Sequence, residues 1–122
     1  MFYEPKKGDH GLPKNPFNSL VMPRPIGWIS SLDADGVINV APYSFFNAVC
    51  YRPPTVMFAG GAGPSPDEGG DWSKDSRRNI EATGDFVCNL TTWDTREQMN
   101  QTSASVPPDV DEMALAGLTP EA

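Results

Sequence analysis

The residues with the most chemistry to offer are small hydroxyls and amides set into β-like sequence. Ser30 and Ser31 end one apolar run, and Ser44 and Asn47 flank Phe45 and Phe46. Ser73, Lys74, Asp75 and Ser76 open a helix-like stretch, SKDSRRNIEAT. A helix start carries unpaired N–H groups and the positive end of the helix dipole, which suits a phosphate. Lys74, Arg77 and Arg78 add positive charge there. A structural alternative stays open. In it Ser73 is a cap, Arg77 and Arg78 form a solvated helix face, and Ser30 and Ser31 precede a turn. Composition and spacing alone weigh toward this alternative.

Side chains that could catalyse unaided are scarce. The sequence has no Gly-x-Ser-x-Gly elbow, no P-loop and no GxGxxG after a strand. Its single histidine, His10, lies in a polar N-terminal stretch, so a Ser-His-Asp triad is not expected. Any demanding chemistry would fall to a cofactor. Cys50 and Cys88 lack the spacing of a metal site and are expected as reduced, largely buried thiols.

The chain has 122 residues, 39% of them apolar and 20% charged, which allows one globular domain. A formal net charge of −7 argues against nucleic acid and anionic membranes as partners. It does not argue against a phosphate, which answers to the potential within a Debye length of about 8 Å. No apolar run approaches the roughly 18 residues of a membrane span, and the N-terminus has no signal-like apolar stretch. The cytoplasm is the default location.

With 11 glycines and 13 prolines, the chain should be built of short elements and turns. Residues 1–18 read as an arm and 19–122 as the domain. Strands are expected at 19–22, 26–32, 37–41, 48–51, 55–59 and 85–90. The second and third form a hairpin around Asp33-Ala34-Asp35-Gly36. In the last strand Phe86, Cys88 and Leu90 share a face. A glycine-rich loop at 60–70 leads to a helix at 73–83, capped by Ser73 or Asp75 and stopped by Gly84. A second helix at 95–103 would open with Asp94 and Glu97 at capping-box spacing. The acidic tail at 109–122 reads as irregular.

Three segments carry a family resemblance: PRPIGWISSLDADGVINVAPYSFFNAVCYRPPTVMFA, KDSRRNIEATGDFVCNLTT and MNQTSASVPPDVDEMALAGLTP. Their order and spacing resemble the flavin reductase-like, or flavoredoxin, family. The resemblance implies a mainly β fold with two helices, part of a Greek-key-like split β-barrel that binds FMN without a covalent bond. Family members are longer, so the resemblance also implies that barrel strands beyond the Leu-Thr-Pro turn are missing from this chain. It assigns Ser30 and Ser31 to the strand running along the flavin. It assigns Ser44, Phe45, Phe46 and Asn47 to the segment lining the ring and ribityl chain. Lys74, Asp75, Ser76 and Asn79 match a Lys-Asp-Thr-x-x-Asn phosphate and ribityl clamp, with Ser76 in place of the commoner threonine. Trp28 and Trp72 are further ring-stacking candidates, with buried packing the stronger expectation for Trp28. The implied activity is hydride or electron transfer between NAD(P)H and flavin, in a homodimer. The alternatives are an FMN electron carrier using another redox partner, or an inactive fragment.

Overall fold

The computed structural model describes residues 3–4, 7–14, 16–61, 74–107 and 109–121. Two sheets and three helices account for the regular structure among them. In the first sheet β1 (Gly27–Leu32) and β2 (Ile38–Tyr43) form the expected hairpin, with Ile29 opposite Ala41 and Ser31 opposite Asn39. The turn chemistry sets that register. The Asp33 carboxylate accepts from the N–H groups of Asp35 at 2.9 Å and Val37 at 2.8 Å. Gly36 takes φ +84°, a conformation that an L side chain would resist.

The second sheet is a hairpin of β3 (Phe46–Tyr51) and β4 (Pro54–Phe58), with a bulge between Ala48 and Cys50. Strand β5 (Val87–Asn89) pairs with β1, giving the first sheet the order β2-β1-β5. Helix α1 (Asp75–Thr83) packs on β1 and β2. It ends at Gly84, whose φ of +81° and N–H bond to the Ile80 carbonyl close its last turn. Helix α2 is Arg96–Gln101, and α3 (Glu112–Leu115) packs on β2.

Trp28, Ile29, Val40, Tyr43 and Ala116 form the buried apolar core. The Trp28 indole N–H donates to Thr102 Oγ1 at 2.9 Å, so its packing role comes with its polar atom satisfied. The hairpin β3–β4 is tied in at its root. The Phe46 ring lies over Gly27, where a Cβ would come within 2.4 Å of it. The Phe58 ring stands 4.9 Å from that of Tyr43 and 5.4 Å from that of Phe86, centroid to centroid.

The mainly β architecture agrees with the sequence reading, and several details differ. Residues 19–22 make no strand. Pro16–Ser19 is a 3-10 turn, and Leu20, Val21 and Met22 are exposed with no ladder partner among the described residues. The tail expected to be irregular forms a third helix. Its N-cap, Asp111, accepts from Ala114 N–H at 3.0 Å, and Glu112 and Ala116 are buried behind it.

The cap assignments also change. Lys74 is the N-cap of α1 and makes no side-chain cap bond, while Asp75 is already helical and ion-pairs with Arg78. Ser73 and Trp72 lie outside the described residues. Helix α2 is shorter than expected and starts after Thr95, not Asp94. Thr95 Oγ1 is held by Thr92, accepting its N–H at 3.0 Å, so no capping box forms. Both cysteines are free, as expected, yet exposed. Phe86 and Leu90 are exposed beside Cys88, Leu90 at 90%, and so is Val87, so exposure is not confined to the alternating set Phe86, Cys88 and Leu90.

Candidate functional site

Helix α1 begins beside an open cleft of about 690 Å³. Tyr43 and Phe58 form an aromatic wall, Gly60 and Gly61 leave backbone without side chains, and Lys74, Arg77, Ile80 and Glu81 line the helix side. A Cβ at Gly60 would stand 3.3 Å from the Tyr43 ring, so glycine keeps this wall thin. Arg77 is engaged by Glu81 at 2.8 Å. Lys74 is exposed and enters no ion pair with another described residue. A cation at a helix start beside an aromatic wall can hold an anion attached to a flat ring. Tyr43 enters this cleft as a neutral hydroxyl. Burial raises its pKa most, the carboxylates of Asp75 and Glu112 raise it further, and a hydrogen bond with Ser76 opposes them.

Directly beneath the helix the polar residues are spent on one another. Ser76 is 1% exposed, and its hydroxyl donates to Asn39 Oδ1 at 2.5 Å. Asn79 is buried and donates to Ser31 Oγ at 3.3 Å. Ser31, Ser76 and Asn79 therefore come together, as an attachment between α1 and the sheet and not as a lining of the cleft. Ser30 stands on the opposite face of β1 and receives Asn89 Nδ2 at 3.1 Å. With Ser31 it borders a second cleft of about 510 Å³, near Asp85, Phe86 and Asn89.

The third group sits at the corner between the sheets. Ser44 is half-buried and Asn47 is exposed on β3 opposite Met57. Phe45 is 40% exposed, with the Arg24 guanidinium 4.9 Å from its ring centroid. None of these three lines either cleft. Asp75 is tied to Arg78, leaving Lys74 as the one clamp candidate that opens to the cleft.

Sequence reasoning missed Tyr43, Phe58, Gly60 and Gly61 as cleft residues, and Asn39 and Glu112 as the support beneath. Asn39 left a signal: a lone amide inside the apolar run VINVA. Glu112 left a weaker one, an acidic residue just after an Asp able to cap a helix.

The family model described as a flavin reductase like domain matches residues 18–122. An uncharacterised protein of Aquifex aeolicus is 41% identical over 102 residues, covering 84% of this chain and 50% of that protein. Nitrilotriacetate monooxygenase component B from Bacillus cereus superposes with TM-score 0.79 at 31% identity, over 99% of this chain and 57% of that one. A flavin reductase-type protein with a split barrel domain from Shewanella frigidimarina superposes with TM-score 0.65 at 26% identity, over 81% of this chain and 45% of that one. The chain thus spans about half the length of the curated relatives it matches. Among the described residues no helix is long and apolar enough to cross a membrane. With the family model matched across nearly the whole chain and the split-barrel architecture shared, this chain belongs to the flavin reductase like domain family.

Proposed function

We propose that this chain forms the FMN-binding part of an oxidoreductase that passes electrons between NAD(P)H and flavin. One observation carries the reading: Lys74 opens to an aromatic-walled cleft at the start of α1, in a chain whose net charge is −7. A flavin phosphate would take a charge-assisted bond from Lys74 and main-chain N–H groups of the first helical turn. The bare backbone at Gly60 and Gly61 leaves it room, and Tyr43 offers a neutral hydroxyl at the wall. Ser76 and Asn79 serve the clamp from beneath, by fixing α1 to Asn39 and Ser31. We propose Ser30, Ser44, Phe45 and Asn47 as further contacts for the ring and ribityl chain; none of the four lines the cleft at Lys74. Bound FMN would supply the hydride chemistry, which needs aligned rings and little acid–base help from side chains. The lone histidine therefore costs this reading nothing. We further propose that the working protein is a homodimer in the cytoplasm.

Flavin fluorescence titrations test the reading. Lys74→Ala removes a charge-assisted bond worth about 1.5–3 kcal/mol, so FMN affinity should fall roughly tenfold to a hundredfold. Riboflavin, which lacks the phosphate, should bind the variant as it binds the wild type. Equal losses for both flavins would make Lys74 a support of the fold, and no loss would put the phosphate elsewhere. Anaerobic NADH or NADPH should bleach the flavin band. A band stable to both would favour a carrier reduced by another redox partner.

A further inference from the structure

Helix α3 reaches the cleft through a chain of buried polar side chains. Glu112, the first residue of α3, is 6% exposed and lies along the outer edge of β2. Its Oε1 accepts from Asn39 Nδ2 at 2.7 Å, and its Oε2 from Val40 N–H at 3.3 Å. Asn39 turns its other end, Oδ1, to the Ser76 hydroxyl at 2.5 Å. Ser76 is in the first turn of α1, two residues beyond Lys74, which lines the cleft.

The chemistry gives this chain a direction. An amide has one donor end and one acceptor end, whereas a carboxylate only accepts. Glu112 therefore draws the donor end of Asn39 toward α3 and leaves the acceptor end for α1. Ser76 must then donate to Asn39, as it does at 2.5 Å. Glutamine at 112 could not accept from both Asn39 and Val40 without also presenting a donor to one of them. That conflict is relieved by turning the Asn39 amide over, which reverses every bond beyond it.

We propose that Glu112 is a positioning residue for the site at the start of α1: it orients Asn39, Asn39 orients Ser76, and Ser76 holds the first turn of α1, with Lys74, where FMN phosphate is received. The inference rests on the FMN reading above. Glu112 itself does not line the cleft. Besides its two donors, the groups facing it are Asp75 from α1, paired with Arg78, and Tyr43 from β2. Burial chiefly raises its pKa, Asp75 adds to that, and the bonds from backbone N–H groups and Asn39 oppose it. Protonation would turn one accepting oxygen into a donor and create the same conflict as glutamine.

The test titrates the whole chain with FMN and with riboflavin, using wild type, Glu112→Gln, Ser76→Ala and the double variant. At about pH 8 each single variant should lose roughly tenfold in FMN affinity and less than about twofold in riboflavin affinity. The double variant should lose no more than either single one, because both changes break one chain. As pH falls from there, the FMN preference of wild type should approach that of Glu112→Gln, since protonation of the ligand phosphate, with its second pKa near 6, affects both proteins alike. A wild-type FMN preference lowered by Lys74→Ala but untouched by Glu112→Gln and Ser76→Ala would overturn this inference alone. So would equal loss of FMN and riboflavin in the two variants, or fully additive losses in the double. No FMN preference in wild type, or none lost in Lys74→Ala, would overturn the FMN reading and this inference together. Should Glu112→Gln fail to fold, Ser76→Ala and the pH profile of wild type set against that of Ser76→Ala decide the matter without it.

Discussion

The seam between β1–β2 and the helices contrasts with the hairpin β3–β4. Both are antiparallel pairs of short, alternating strands. In the seam Ile29 and Val40 are fully buried, and each polar atom of Asn39 and Ser76 has a named partner. On the hairpin Val49 is 58%, Met57 52% and Tyr51 80% exposed. Strand pairing alone does not bury a side chain. Burial comes from what lies across the strands, and α1, α2 and α3 all pack on the seam. The hairpin is anchored at one end, where Phe46 covers Gly27 and Phe58 meets Tyr43.

The sharpest challenge to this contrast is truncation on each side of it. Ile29→Ala should cost about 2–5 kcal/mol in urea unfolding, because it leaves a cavity in a site with no access to solvent. Tyr51→Ala should stay within about 0.5 kcal/mol. Comparable losses at the two positions would mean that the hairpin face is covered in solution, and the contrast would fail.

Gly27→Ala probes the joint between the regions. Its new methyl must displace the Phe46 ring, an overpacking cost of roughly 1–3 kcal/mol. The aromatic near-ultraviolet circular dichroism should change while Trp28 fluorescence stays buried. An unchanged aromatic spectrum would show that the hairpin is not fixed at this point.

A smaller effect follows from Glu112, whose pKa burial raises above its unfolded value. Ionisation is then less favourable in the folded chain than in the unfolded one. The stability this group contributes is fully present below the unfolded pKa and is lost as pH rises through the folded one. The difference in Tm between wild type and Glu112→Gln should therefore shift against wild type as pH rises from the acidic side to neutrality. A flat difference would mean that the carboxylate is not desolvated. The smallest effect belongs to Arg77→Ala. Its exposed pair with Glu81 should contribute about 0.3–0.5 kcal/mol, fading with salt.

The sequence spoke most clearly where local chemistry decides structure. Asp33 and Gly36 announce the β1–β2 turn, and Gly84 announces the end of α1, because each acts through its own backbone neighbourhood. The tail was opaque because its four-residue helix has little stability of its own and gains it by burying Glu112 and Ala116. Residues 19–22 misled because an apolar run resembles a strand whether or not a partner lies beside it. Of the site, Lys74 was legible from its place at a helix start. The buried roles of Ser31, Ser76 and Asn79 were not, since which face of a helix meets which strand depends on contacts far along the chain. Tyr43 and Phe58 were invisible as a pair because they meet only when the two hairpins stack.

The bonds from Trp28 to Thr102 and from Asn39 to Glu112 span 74 and 73 positions along the chain. A chain made on the ribosome appears N-terminal end first. The β1–β2 hairpin can form early, since its turn needs nothing beyond Val37. Its indole N–H and the donor end of its amide then wait for their partners in the fold until residues 102 and 112 have been translated. Throughout that interval the outer edge of β2, where Val40 N–H awaits Glu112, is an open strand edge able to pair with other nascent chains. Slow translation through residues 102–112 would lengthen this exposure, so the yield of soluble protein should depend on codon choice there more than on codon choice within the hairpin itself.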